Sequence, residues 1–275
     1  MTRTRVDLTL CLAFLALACM PLDAWAQVAP PLGATQAFGA LGHSGVTGAT
    51  GSGVVVTGDV GSSPTSTISN FPPSTVGVPF SLHTSNDAVV QQAHTDAIAA
   101  YTNLVGQGTG TVLADNLSGQ TLTSGVYSFT LGAPDLPSSA TLTLNGGGVF
   151  IFNVASSLTA NVNSVVTGTA DPCNIFWRVG SSATLNGTSF LGTVVADQSI
   201  TLGSGANVTG RLLAGTGATG AVTMAGSGGN TIGGCSTAVG NVPALPHVLL
   251  AVLAFGLLVL GYFSARRVRP LVARR

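Results

Sequence analysis

Three consecutive stretches between Cys173 and Ile232 repeat one pattern, and that pattern leaves few folds open. They read NIFWRV-GSSATLNG-TSFLG, then TVVADQ-SITLGSG-ANVTG, then RLLAGTG-ATGAVTMAGSG-GNTI. Each opens with an apolar run (residues 175–179, 194–196 and 212–214) and continues to a threonine between apolar neighbours (Thr184, Thr201, Thr223). A glycine-rich turn follows, then a short segment holding Phe190, Val208 or Ile232. Alternation over a few residues marks a strand with one face buried. Three such strands per repeat, joined by small or polar corners, describe one coil of a β-solenoid. The preceding GVFIFNV-ASSLTANV-NSVVTG (residues 148–168) lies over the first line with Thr159 in register with Thr184, and ATLTLNG (residues 140–146) offers Thr143 at the equivalent place. The spacing from Thr159 to Thr184 is 25 residues, to Thr201 a further 17, and to Thr223 a further 22, as expected of coils whose corners carry insertions.

Composition agrees with a mostly β chain. Only 7% of residues are charged, with no Lys and no Glu, and 37 of 275 are Gly. Such a chain resembles neither a disordered segment nor a nucleic-acid-binding domain. An apolar content of 45% without long helical periodicity implies a core of many small side chains.

The two ends are of another kind. Residues 1–26 carry Arg3 and Arg5, an apolar run over 8–17 and Ala24-Trp25-Ala26 before Gln27. This is the pattern of a secretory signal helix with a small-residue cleavage site. Residues 241–275 hold Pro243-Ala244-Leu245, an apolar run over 248–263 and then Arg266, Arg267, Arg269, Arg274 and Arg275. With its flanks that hydrophobic helix reaches about 30 Å, barely a bilayer, and the arginines belong on the cytoplasmic side. It resembles the C-terminal sorting signals of Gram-negative bacteria, and a plain membrane anchor is the alternative. In either case residues 27–240, one domain, are expected outside the cytoplasm or at the cell surface.

Outside the ends, Cys173 and Cys235 remain. In an oxidising compartment they can pair, or stand as two separate thiols. Residues 30–86 are loop-rich, with strands expected at 38–41 and 54–56 and a rigid turn at Phe71-Pro72-Pro73. One soluble helix is expected over about 86–105: Ser85, Asn86 and Asp87 are N-cap types and Gly106 ends the run. Val90, Ala93, Ala97, Ile98, Tyr101, Leu104 and Val105 are assigned to its apolar face, and His94 to its surface.

LGATQAFGALGHSGVT, VVVTGDVGSSP, ISNFPP, the Ala-rich helix, SGVYSF, VFIFNV, CNIFWRVGSSATL and VTGRLLA, in this order over residues 32–232, resemble the ice-binding protein family of bacteria, fungi and diatoms. The resemblance implies a discontinuous right-handed β-solenoid of triangular section with a long helix alongside. It also implies that one flat face adsorbs to an ice crystal surface. Members that bind ice well often carry Thr-Ala/Gly-X-Thr/Asn at the corner after the ladder threonine. The corresponding stretches here run from Ala160 to Asn163, Asn186 to Ser189, Ser204 to Asn207 and Ser227 to Asn230, so the leading Thr is replaced while the last residue mostly keeps to type. Ice affinity is therefore expected to be weak or moderate.

Independently, outward threonines on stacked coils would form a grid repeating at about 4.8 Å along the stack. β-Branching leaves each few χ1 states to lose on ordering, and a methyl beside a hydroxyl can order water. Thr143, Thr159, Thr184, Thr201 and Thr223, with Asn163, Asn186, Ser204, Asn207, Ser227 and Asn230 at the corners, are the expected contact set. A threonine ladder also arises simply because Thr favours β-structure, so a surface adhesin or structural solenoid without ice affinity is the alternative function. Catalysis finds no support: His43, His83, His94 and His247 lack metal-ligand spacing, and there is no phosphate loop and no calcium-binding corner repeat. Arg178, Asp197 and Arg211 are expected to bridge neighbouring coils, and Gly58-Asp59-Val60-Gly61 to be a capping turn. The chain is expected to be a monomer without cofactor or metal, touching a membrane only through its C-terminal segment.

Overall fold

A computed structural model describes residues 27–227 and 229–236, and these belong to one compact unit. The signal helix and the C-terminal hydrophobic segment lie outside the described residues. In chain order, β1 (Phe38–Gly42), β2 (Gly45–Thr47) and β3 (Val54–Thr57) make one coil, and β4 (Asp59–Ser62), β5 (Ile68–Ser69) and β6 (Thr75–Val76) the next, with β7 (Leu82–His83) beginning a third. Helix α1 (Ala88–Gly106) follows. The chain then coils again through β8 (Thr111–Leu113), β9 (Thr121–Leu122), β10 (Gly125–Phe129), β11 (Asp135–Leu136), β12 (Thr141–Leu144), β13 (Phe150–Val154), β14 (Leu158–Ala160) and β15 (Val165–Gly168). It ends with β16 (Ile175–Val179), β17 (Ala183–Leu185), β18 (Phe190–Ala196), β19 (Ile200–Leu202), β20 (Val208–Ala214), β21 (Ala221–Met224) and β22 (Asn230–Gly234).

All the pairings are parallel, and they stack the coils into a three-faced solenoid. One face runs β8-β10-β13-β16-β18-β20-β1-β4-β7. A second runs β11-β14-β17-β19-β21-β2-β5. The third holds β9-β12-β15, continues through the first residues of β18 and β20, and ends at β22-β3-β6. β18 and β20 each span a corner, turning where Gly192 (φ +114°) stacks under Gly210. A Cβ on Gly192 would lie 2.8 Å from the Ile175 carbonyl oxygen, and one on Gly210 1.9 Å from that of Gly192, so the corner admits only glycine.

The N-terminal coils stack on the end of the C-terminal ones: β1 pairs with β20, β2 with β21 and β3 with β22. The solenoid is therefore discontinuous in sequence. α1, 19 residues and about 28 Å long, carries the chain from β7 at one end of the stack to β8 at the other. Asp87 caps it, accepting from Val89 N–H at 2.8 Å.

Inside the coils the core is continuous. Tyr127, Phe152, Trp177 and Phe190 stack along the axis, with Phe152 and Trp177 centroids 3.9 Å apart, and Trp177 Nε1 donates to Leu191 O at 3.0 Å. Cys173 and Cys235 form a disulfide, with Cα atoms 5.3 Å apart, tying the start of β16 to the end of β22. Closing a loop of this length removes about 4 kcal/mol of unfolded-chain entropy in the simplest account.

Several expectations need correction. Val90, Ala93, Ala97, Ala100 and Leu104 form the buried stripe of α1, whereas Ile98 (40%) and Val105 (43%) are exposed. The stripe that α1 packs on the first face is narrower than the run of apolar residues suggested. Residues 58–61 are not a capping turn. They enter strand β4, where Asp59 accepts from Ser81 N–H at 2.8 Å and faces His83 at 3.4 Å. Neither Arg178 nor Arg211 forms an ion pair with Asp197 among the described residues. Arg178 donates to Val154 O at 2.9 Å and lies over the Tyr101 ring. Arg211 is buried, donating to Thr193 Oγ1 and to the carbonyls of Gln36 and Cys235; burial pulls its pKa down to about 10, so it stays charged. Carbonyl oxygens replaced the expected carboxylate because both guanidinium groups lie between coils, where backbone groups are the nearest acceptors. His94 is not a free surface residue, since its ring packs against His43.

Candidate functional site

Burial follows period two along β14, β17, β19 and β21 of the second face. In β14, β17 and β19 the outer residues are buried and the central threonine is half-exposed. Parallel pairing aligns those centres directly: Thr159 with Thr184, Thr184 with Thr201, Thr201 with Thr223, Thr223 with Thr47, and Thr47 with Ser69. At about 4.8 Å per rung this row of six hydroxyls spans about 24 Å. The four threonines of β14, β17, β19 and β21 make no side-chain hydrogen bond with the described residues, so their hydroxyls are available to solvent. Only Ser69 and Thr47 bond to each other, Oγ to Oγ1 at 3.2 Å. The row ends at Asp135, paired with Thr159 and accepting from Asn161 Nδ2 at 2.5 Å. α1 lies elsewhere: its buried residues join Leu41, Ile151, Phe176, Val195 and Leu213 of the first face. The ladder is therefore uncovered by the helix.

The corner residues divide. Asn186 lies beside the row, with its Oδ1 where a Cβ on Gly203 of the next coil would be. Ser204 and Ser227 meet across coils, Oγ to Oγ at 3.2 Å, at the edge leading to the third face. Asn163 is exposed in a turn at φ +60°. Three residues depart from the expected set. Thr143 sits in β12 on the third face, aligned with Thr121 and Thr167 rather than Thr159. Its strand has the same alternation as a ladder strand, and alternation carries no label for which side of the coil a strand forms. Asn207 also faces that side, accepting from Thr231 N–H at 3.0 Å and Thr231 Oγ1 at 2.9 Å. Asn230 is 1% exposed, its Oδ1 accepting from Gly205 N–H at 3.1 Å and its amide donating to Gly203 O. It closes a corner from inside and offers nothing to the surface.

The arrangement is a stiff, nearly uncharged row of methyl and hydroxyl groups, with no titratable group among its threonines. Such a surface suits a repeating, extended ligand rather than a small molecule. The ice-binding-like family matches this chain over residues 40–232. An ice-binding protein of Nostoc sp. (strain HG1) is 39% identical over 199 residues, 70% of this chain and 71% of that protein. The chain belongs to the ice-binding-like family. Among solved structures, an ice-binding protein from an Antarctic biological consortium is 36% identical with a TM-score of 0.69, covering 78% of this chain and 95% of that one. The ice-binding protein of the Antarctic ascomycete Antarctomyces psychrotrophicus is 32% identical with a TM-score of 0.65, covering 77% and 100%.

In this ice-binding-like chain, sequence reasoning missed Thr47 and Ser69. They lie in the loop-rich N-terminal part, with strands of three and two residues, too short for alternation to register. The signal available was the Gly45-Val46-Thr47 triplet, which repeats the apolar-Thr order of the later coils. Also unforeseen was the serine column beside the row. Ser182 Oγ accepts from Ser199 N–H at 3.4 Å and Ser199 Oγ from Ala221 N–H at 3.2 Å, so these hydroxyls tie coil to coil.

Proposed function

We propose that this protein binds ice through the second face, with Thr159, Thr184, Thr201, Thr223, Thr47 and Ser69 as its central row and Asn186 beside it. The observation that carries this reading is the unbroken alignment of Thr159, Thr184, Thr201, Thr223, Thr47 and Ser69 on a face that α1 does not cover. Each threonine holds ordered water weakly through one hydroxyl and one methyl. A crystal meets all of them at once, so many small contacts add into adsorption. Adsorbed molecules then restrain growth and recrystallisation of the ice. Ala160, Asn186, Ser204 and Ser227 in place of the leading corner threonine support modest rather than strong affinity. Export through residues 1–26, retention or sorting through residues 241–275 and a monomeric state belong to the same proposal. A disulfide in the body favours an oxidising compartment.

The test is grain coarsening in frozen sucrose with the purified chain. The unaltered protein should slow coarsening, and Thr201→Tyr or Thr223→Tyr should remove most of that effect with the fold intact by circular dichroism. Full inhibition by both variants would show that another face is used. No inhibition by the unaltered chain would leave the adhesin or structural module as the better reading.

A further inference from the structure

His43, just after β1, and His94, in the second turn of α1, come from different parts of the fold and meet at its seam. His43 Nδ1 and His94 Nε2 are 3.3 Å apart, and the ring centroids are 5.0 Å apart at 66°. For an N–H···N bond the separation is long, and the centroids are closer than an in-line bond of that length allows. At least one lone pair is therefore turned off the line joining the two nitrogens. Two imidazole nitrogens bound at 2.0–2.1 Å to one tetrahedral ion stand about 3.3–3.4 Å apart. The separation in the structure is that edge.

We propose that His43 and His94 bind one divalent transition-metal ion of the zinc, nickel and copper class, joining the helix to the solenoid corner. Imidazole suits these ions, while the hard cations calcium and magnesium would need oxygen donors. Carboxylates near the seam are already committed: Asp96 accepts from Ala34 N–H at 2.7 Å and from Gln92 at 2.8 Å, while Asp59 and Asp87 face His83. No group of three or more His, Cys, Asp or Glu side chains suited to a metal occurs among the described residues, so water fills the remaining positions. Affinity has a stated limit. Coordination through Nε2 places the proton on His94 Nδ1, which is buried without a partner, so the outer bond that usually steadies a ligating histidine is lacking. The site is separate from the ladder, and its test is independent of ice.

Zinc sulfate, and separately nickel sulfate, titrated calorimetrically at pH 7.5 into the full chain carrying no affinity tag reads the site directly. One equivalent should bind and raise the melting temperature, with EDTA reversing both. His43→Ala and His94→Gln should each weaken binding at least roughly tenfold, while His83→Asn and His247→Ala leave it unchanged. Absence of saturable binding, or equal affinity in His43→Ala, overturns the proposal and leaves a hydrogen-bonded pair only. Should His94→Gln fail to fold, His43→Ala decides alone, because His43 lies at a corner outside the strands.

Discussion

The same coils present two opposite surfaces one corner apart. On the helix side β13 and β16 read FIFNV and IFWRV; on the ladder side β14 and β17 read LTA and ATL. Inward residues are alike in both. The difference lies in what points out: Ile151, Phe176, Val195 and Leu213 under α1, Thr159, Thr184, Thr201 and Thr223 under water. A strand buried on both sides loses its alternation, and one buried on a single side keeps it. Each outward apolar residue beneath the helix contributes about 1.5–3 kcal/mol to folding. The outward threonines contribute little there, which leaves them free to serve a ligand.

Substitutions should separate the two roles, and the largest effect belongs to the covered face. Phe176→Ala, at a fully packed position beneath α1, should cost roughly 3–5 kcal/mol in chemical denaturation. Ice inhibition per folded molecule should stay near that of the unaltered chain. Loss of inhibition in the folded fraction would break the division. A smaller effect comes from acid, again on the covered side. His94 has its folded pKa lowered, so its unfolded form binds protons first as pH drops. Stability should therefore fall as pH falls from about 6.5 toward that lowered value, and His94→Gln should flatten that part of the melting-temperature profile measured in EDTA. The smallest effect on stability is expected at the ladder. Thr201→Val, keeping the shape and removing the hydroxyl, should change stability by less than about 0.5 kcal/mol while weakening ice inhibition measurably.

The comparison also explains what the sequence made legible. The lines after Cys173 separated correctly into coils because β17, β19 and β21 keep their alternation while the strands before them are unbroken apolar runs. The helix was legible from Asp87 and Gly106. Which face it covers was left open, although the unbroken apolar runs that open each line belong to the strands covered on both sides. Thr143 went to the wrong face because ATLTL alternates as a ladder strand does, and the coil it belongs to carries Asp135 at the ladder position instead. Asn230 was misjudged because a corner amide can turn outward to water or inward to backbone groups, and local sequence does not distinguish them. Thr47 and Ser69 were hidden because their strands are only three and two residues long, and Thr47 meets Thr223 across the discontinuity in the chain.

That discontinuity sets an order of events. Thr47 takes its place only against Thr223, 176 residues later (223 − 47). At roughly 5–20 residues per second of translation, the opening coils wait about 10–35 s for the strand they must join. A nascent chain halted before β21 would hold two raw strand edges, each open to misjoining with a neighbouring copy. The last two hydroxyls of the row, those of Thr47 and Ser69, thus join it only once β21 has been made and the opening coils close on the later ones.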